Sequence, residues 1–215
     1  MKEGRACNAM DACKRFGTDA KGLDEAWGKS PKVVKFGGGF YCGKVTMNGL
    51  ELYVFNAFFM SMRSKFVGKG TSIHCYEVAW EPSKLSWSSF RNDVLGPTDP
   101  AEAPKGSLRA TILEQYKELG LSAKPNKGDN GVHASASPFE GLAEKINWLG
   151  KTLESEAFGS ALLSAGLSKK TINAWSVDPR VTLADGSKGS VFDALEDMDA
   201  DDCLAKLKEL NGLNS

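Results

Sequence analysis

The spacing of apolar positions changes along the chain and divides it into three stretches. Asn8 to Phe16 and Leu23 to Trp27 read as short helical pieces broken by Gly17, Gly22 and Gly28, a lead-in over residues 1–32. From Val33 the pattern becomes that of strands: Val33 to Phe36, Phe40 to Met47, an Asn48-Gly49 turn, then Leu50 to Phe55. Asn-Gly between such runs predicts a hairpin, because a type I′ turn needs positive φ at both central positions. A helix from about Ala57 to Phe66, a strand from about Ser72 to Trp80, and helices over Leu85 to Val94 and Leu108 to Leu119 follow. The clearest helix is Pro138 to Leu149, where Phe139, Leu142, Ile146 and Leu149 share one face, Ser137 is placed to cap and Pro138 takes the tolerated first position. Beyond Gly150, helical segments near 153–163, 168–175 and 191–210 predict a helical extension over residues 151–215.

Strands and helices do not alternate as regular βαβ units. The order therefore predicts an α+β fold in which helices cover an antiparallel sheet. With 41% hydrophobic and 25% charged residues, the chain has the composition of a soluble globular protein with one main core. Lysine plus arginine equal aspartate plus glutamate at 27 each, so no net field points to nucleic acid or to an anionic membrane. Any phosphate recognition has to be local. No run approaches the roughly 18 apolar residues of a membrane span, and Met1-Lys2-Glu3-Gly4-Arg5 has no apolar leader segment, which makes a cytoplasmic protein the expectation. The five cysteines are scattered without a CxxC pair, so reduced, packed thiols are expected rather than disulfides or a zinc site.

Chemistry concentrates around His133, one of two histidines. It follows the polar Asp129-Asn130-Gly131 turn, precedes the amphipathic 138–149 segment, and has Glu144 eleven residues later. A helix starting at Pro138 can bring that carboxylate back toward the ring, the layout of an oriented, nucleophilic imidazole. His74, between Ile73 and Cys75, lacks ligand partners and reads as structural. Asp197-Met198-Asp199-Ala200-Asp201 begins like a calcium loop, but Asp202 stands where the loop needs glycine, so it reads as helix-capping acidic surface.

Leu95-Gly96-Pro97-Thr98-Asp99-Pro100, then Gly106-Ser107-Leu108-Arg109, then Asn130-Gly131-Val132-His133-Ala134-Ser135, then Glu144 and Trp148, resemble the nucleoside diphosphate kinase family. The four blocks fall in the family's order within about 54 residues, with an apparent insertion around 114–127. Upstream, Asn56-Ala57-Phe58-Phe59 and Val78-Ala79-Trp80-Glu81 resemble two further family segments.

The resemblance implies a ferredoxin-like antiparallel sheet covered by helices, with residues 33–150 as the kinase-like domain. It implies ping-pong transfer of the γ-phosphate of a nucleoside triphosphate to a diphosphate through a phosphohistidine at His133, steadied by Glu144. Thr98, Arg109 and Asn130, with Arg91, would hold phosphate oxygens, and Phe58 and Met62 would clamp the base without reading its edge. Mg²⁺ would arrive with the nucleotide, and a homo-oligomer, commonly a hexamer, would be expected. The chain departs from the family at several points. No Lys-Pro-Asp-Gly strand precedes Val33. The second phosphate arginine, expected six residues before Thr98, falls on Asn92 with Arg91 one position off, and Ala134 and Ala136 replace a glycine and an aspartate. A fragment of a longer kinase, or a divergent relative that binds nucleotide as a scaffold without turnover, are the two explanations left open.

Overall fold

Asn8 ends one element and starts the next. It closes strand β1 (Ala6–Asn8) and caps helix α1 (Ala9–Phe16), its side chain accepting the Asp11 amide at 2.8 Å. Gly17, at φ 64°, ends α1 in the left-handed conformation that glycine adopts without steric cost. Helix α2 (Ala20–Gly28) follows, capped by Asp19, and then strands β2 (Val33–Gly37), β3 (Phe40–Met47) and β4 (Leu50–Phe55) and helix α3 (Phe59–Val67). This is a computed structural model, and it describes residues 4–37 and 40–214; residues 1–3 of the expected lead-in lie outside them. The chain divides into two compact units, the first ending at His74 and the second beginning at Cys75.

In the N-terminal unit the strands lie in the order β1-β4-β3-β2. The Asn48-Gly49 hairpin is present as predicted, with φ of 51° and 75°, and it pairs Met47 with Leu50 and Val45 with Leu52. Leu52 and Val54 alternate inward while Glu51 and Tyr53 face out. Two expectations are corrected here. The sheet is mixed, because β1 runs parallel to β4. The lead-in is part of the core, because Ala12, Phe16, Leu23 and Trp27 are buried with Val45, Leu52 and Val54. Gly43 explains how closely helix and sheet approach: a Cβ there would lie 2.7 Å from the Trp27 ring. Ser72 to Trp80, expected as a strand, joins no ladder; Tyr76 is 82% exposed, and a period of two forms a strand only where an edge receives it.

The C-terminal unit opens with α4 (Trp87–Ser89), which runs directly into a π-helical stretch, Phe90–Leu95, and a 3₁₀ turn, Pro100–Glu102. Helix α5 (Leu108–Gln115) is capped by Ser107, and the apparent insertion after it is an exposed run of turns. Helix α6 (Pro138–Leu149) has the predicted bounds and cap. Next come α7 (Ala157–Ser164), α8 (Lys169–Trp175), a hairpin of β5 (Arg180–Thr182) and β6 (Lys188–Ser190), α9 (Val191–Leu195) and α10 (Ala200–Leu213). The expected 191–210 helix breaks at Asp197, which has a φ of 62°.

One core unites the elements from α6 to α10. Phe139 and Leu142 of α6 are buried with Leu162, Ile172, Trp175, Val191, Leu195, Leu207 and Leu210. The extension from residue 151 is therefore continuous with α6, and the expected boundaries at 32/33 and 150/151 do not coincide with the division at 74/75. Cys203 lies fully inside, where burial pushes its thiol up to about 12, as expected of a packed, reduced cysteine. The architecture is α+β.

Candidate active site

Three loops and one helix of the C-terminal unit build the site. Ser137 caps α6 by accepting the Glu140 amide, and the Glu140 carboxylate reaches back to the Ala136 amide, a variant of the reciprocal capping box. Glu144, one turn further, lies on the same face as Glu140. Its Oε1 is 2.6 Å from His133 Nε2, and its Oε2 accepts from Ser135 Oγ at 2.5 Å. The loop between the two partners is held by Trp87, whose Nε1 donates to the Ser135 carbonyl at 2.9 Å.

The arrangement fixes which nitrogen is free. With Nε2 on Glu144, the His133 ring presents Nδ1, and its side chain is 66% exposed. The Glu144 hydrogen bond and charge, working against burial, raise the His133 pKa above its ordinary value of 6.5. Burial pushes the Glu144 carboxyl up, but the hydrogen bonds from His133 and Ser135 outweigh it and the net pKa is lowered. Glu140 goes the other way, raised chiefly by burial.

Arg109 is buried, and its two terminal nitrogens donate to the carbonyls of Gly96, at 2.6 Å, and Val132, at 2.9 Å. It ties the loop carrying Thr98 to the loop carrying His133. That use differs from the fork on phosphate oxygens that the resemblance implies. Burial, and then the charge of Arg91, lower the Arg109 pKa, while the Arg109 charge itself reaches His133 and opposes protonation of the ring. Gly96 is required at this junction: at φ 95°, a Cβ would stand 2.9 Å from Ala103 Cβ and Ser107 Oγ. Asn130 donates to the Thr98 carbonyl at 3.1 Å, a second tie between the same loops.

His133, Glu144, Arg109, Asn130 and Thr98 are thus brought together by these contacts. Arg91 is also in this unit, but its guanidinium is held by Glu196 Oε1, at 3.1 Å from both terminal nitrogens, and by Asp197 Oδ1. Asn92 turns its amide to the Ser88 carbonyl and hydroxyl. Phe58 and Met62 belong to the N-terminal unit, where the Phe58 ring packs on Trp27 and edge-on to Tyr41; the base clamp remains an expectation of the resemblance alone. The roles of Ser135, Glu140, Trp87, Glu196 and Asp197 were not read from the sequence. The Ser137-x-x-Glu140 pattern was a usable signal for Glu140, but the others depend on contacts nine or more residues away.

Among the described residues, His133, Glu140 and Glu144 can bring ligand atoms within 4.8 Å of one another. Each of the three also has a hydrogen-bond partner: Glu144 for His133, Ser135 as a further one for Glu144, and the Ala136 amide for Glu140. The chain matches no family model, no curated protein and no solved structure.

Arg109 gives a stability test. Arg109→Met would leave the Gly96 and Val132 carbonyls without their charged donor, while removing a buried cation recovers part of the loss. A net destabilisation of about 2–4 kcal/mol is expected in denaturant melts. An unchanged midpoint would show that Arg109 does not join the two loops.

Proposed function

We propose that the protein is a nucleoside diphosphate kinase-like phosphotransferase. In this reading, His133 Nδ1 attacks the γ-phosphorus of a magnesium-bound nucleoside triphosphate. The bond from phosphorus to the bridging oxygen breaks, and the nucleoside diphosphate leaves. A terminal phosphate oxygen of a second diphosphate then takes the phosphoryl group, and the N–P bond breaks to restore the ring. The observation that carries this reading is the 2.6 Å contact between His133 Nε2 and Glu144, with Ser135 on the second carboxylate oxygen. A carboxylate held on that nitrogen fixes the tautomer and compensates the positive charge that develops on the ring as Nδ1 gains phosphorus.

Thr98, exposed beside Asn130, is the neutral donor for phosphate oxygens, and Arg109 supplies field from behind the loops. The one-position offset of Arg91 has a local explanation: Phe90–Leu95 is π-helical, and i→i+5 bonding takes one residue more per turn than an α-helix. Self-association belongs to the same reading. Among the described residues no helix is long and apolar enough to cross a membrane.

A second reading has its own observation. Both arginines have their guanidinium groups engaged, Arg109 by backbone carbonyls and Arg91 by carboxylates, which fits a nucleotide-binding relative with weak or no turnover. Incubation with γ-labelled ATP separates the two. The kinase reading expects an acid-labile, base-stable label that maps to His133 and is discharged by added diphosphate. A thermal shift with magnesium-ADP but no label would leave the binding relative standing and remove the kinase.

A further inference from the structure

The turn between α9 and α10 is fastened to the site at three points. Asp197 donates its backbone amide to the Ala136 carbonyl at 2.9 Å, three residues from His133. Asp199 Oδ1 accepts the Trp87 amide at 2.7 Å, at the start of the α4 and π-helical run. Glu196 and Asp197 place their carboxylates on Arg91. The left-handed backbone at Asp197 makes this possible, because it turns the chain sharply enough for neighbouring carboxylates to converge on one guanidinium. Glu196, Asp197 and Asp199 lie outside the four blocks that carry the resemblance.

The electrostatics of the contact point to exchange. Arg91 is 23% exposed, whereas Glu196 and Asp197 are 52% and 38% exposed, so a competing anion can reach the cation from the side on which the carboxylates stand. Arg91 also lies close enough to Arg109 for the two positive charges to interact. A carboxylate and a phosphate oxygen present the same bidentate acceptor to a guanidinium, but a diphosphate brings more charge to the two arginines together. The Glu196 pair is exposed and so weakly held, and the Asp197 pair is partly buried and holds the guanidinium more firmly, which makes Glu196 the carboxylate that such a ligand displaces first.

We infer that Glu196 and Asp197 are built-in competitors for the phosphate position on Arg91, so that the C-terminal helical module sets how tightly the site binds a nucleoside diphosphate. The inference rests on the phosphotransferase reading for its ligand. Arg91 is the contested cation, Asp197 both competes and anchors the loop, and Glu196 competes only.

Binding of magnesium-ADP measured by calorimetry, alongside the labelling assay, tests it with the full chain. Glu196→Gln combined with Asp197→Asn is expected to tighten binding at least roughly threefold, about the size of one exposed ion pair, with the partly buried Asp197 pair adding to it. Arg91→Ala is expected to weaken binding more in that neutralised background than in the unaltered chain, where its guanidinium is already occupied. If the double variant folds poorly, Glu196→Gln alone keeps the Asp197 contacts and is expected to give the smaller part of the same gain. A labelled protein whose neutralised variants bind magnesium-ADP no tighter overturns the competition and leaves the phosphotransferase reading intact. An unaltered chain that neither takes label nor binds magnesium-ADP removes that reading and this inference together.

Discussion

Under the proposed phosphotransfer, replacing Glu144 with glutamine is expected to slow phosphorylation of His133 by about tenfold to a hundredfold, and to move the acid limb of its pH profile downward. Glutamine can keep both neighbours, its carbonyl oxygen accepting from Nε2–H and its amide donating to Ser135 Oγ, so the change removes charge more than geometry. A hydrogen bond to a charged group is worth about 1.5–3 kcal/mol, which corresponds to roughly that range of rate. The pH effect has a definite sign. In the proposed reaction the attacking form is the neutral ring with its Nδ1 lone pair free, and Glu144 raises the pKa at which that form is lost. Rates in the unaltered protein therefore fall as pH drops through a value above 6.5. In the glutamine variant the hydrogen bond to an anion and its charge are gone and burial remains, so the limb shifts lower while the plateau is slower. A plateau loss with an unmoved limb would mean that Glu144 does not govern the ring. The same linkage bears on stability. The raised His133 pKa favours folding most fully below about 6.5 and this is lost as pH rises through the folded value; the lowered Glu144 pKa favours folding above its ordinary value of 4.5 and this is lost as pH falls through the folded one.

The largest loss of stability is expected from Phe139→Ala, about 3–5 kcal/mol in a chemical denaturation series. The Phe139 side chain is fully buried, meets Phe192 edge-on at 6.1 Å, and shares its core with Leu162, Leu195 and Leu207. Truncation removes the transfer free energy of the ring and leaves a cavity among side chains from several elements, which cannot all collapse into it. A loss of this size is a large share of the roughly 5–15 kcal/mol that holds an ordinary domain folded. Trp148 is the control. It lies on the same helix but is 61% exposed, and alanine there is expected to change stability by no more than about 0.5 kcal/mol. A Phe139→Ala midpoint as little altered as that of Trp148→Ala would contradict the shared core.

Legibility in the sequence followed the range of the interactions. Helix α6 was readable from its cap to about its last residue because its apolar stripe, its Ser137 cap and its Pro138 are all local signals. The Asn48-Gly49 hairpin was readable for the same reason, since the turn chemistry lies in the two residues themselves. Strand β1 was not, because three residues without a β-branched side chain form a strand only when β4 receives them. The break at Asp197 was hidden by continuous helical composition on either side of it, and the contacts that hold it lie about 60 and 110 residues away in sequence. Within the site, His133 and Glu144 were found because eleven residues and one helix start connect them. The engagement of Arg109 with carbonyls was not foreseeable, since a sequence names a cation and leaves its acceptors open.

Helix α6 carries two messages on opposite strips of one cylinder. Phe139, Leu142 and Ile146 are read by the C-terminal helices, and Glu140 and Glu144 are read by the loop of the imidazole. Because a helix rotates as a rigid rod, any repacking of the far helices that turned α6 by a fraction of its pitch would swing both carboxylates away from the ring, so drift in the tail would be visible first as a change in chemistry.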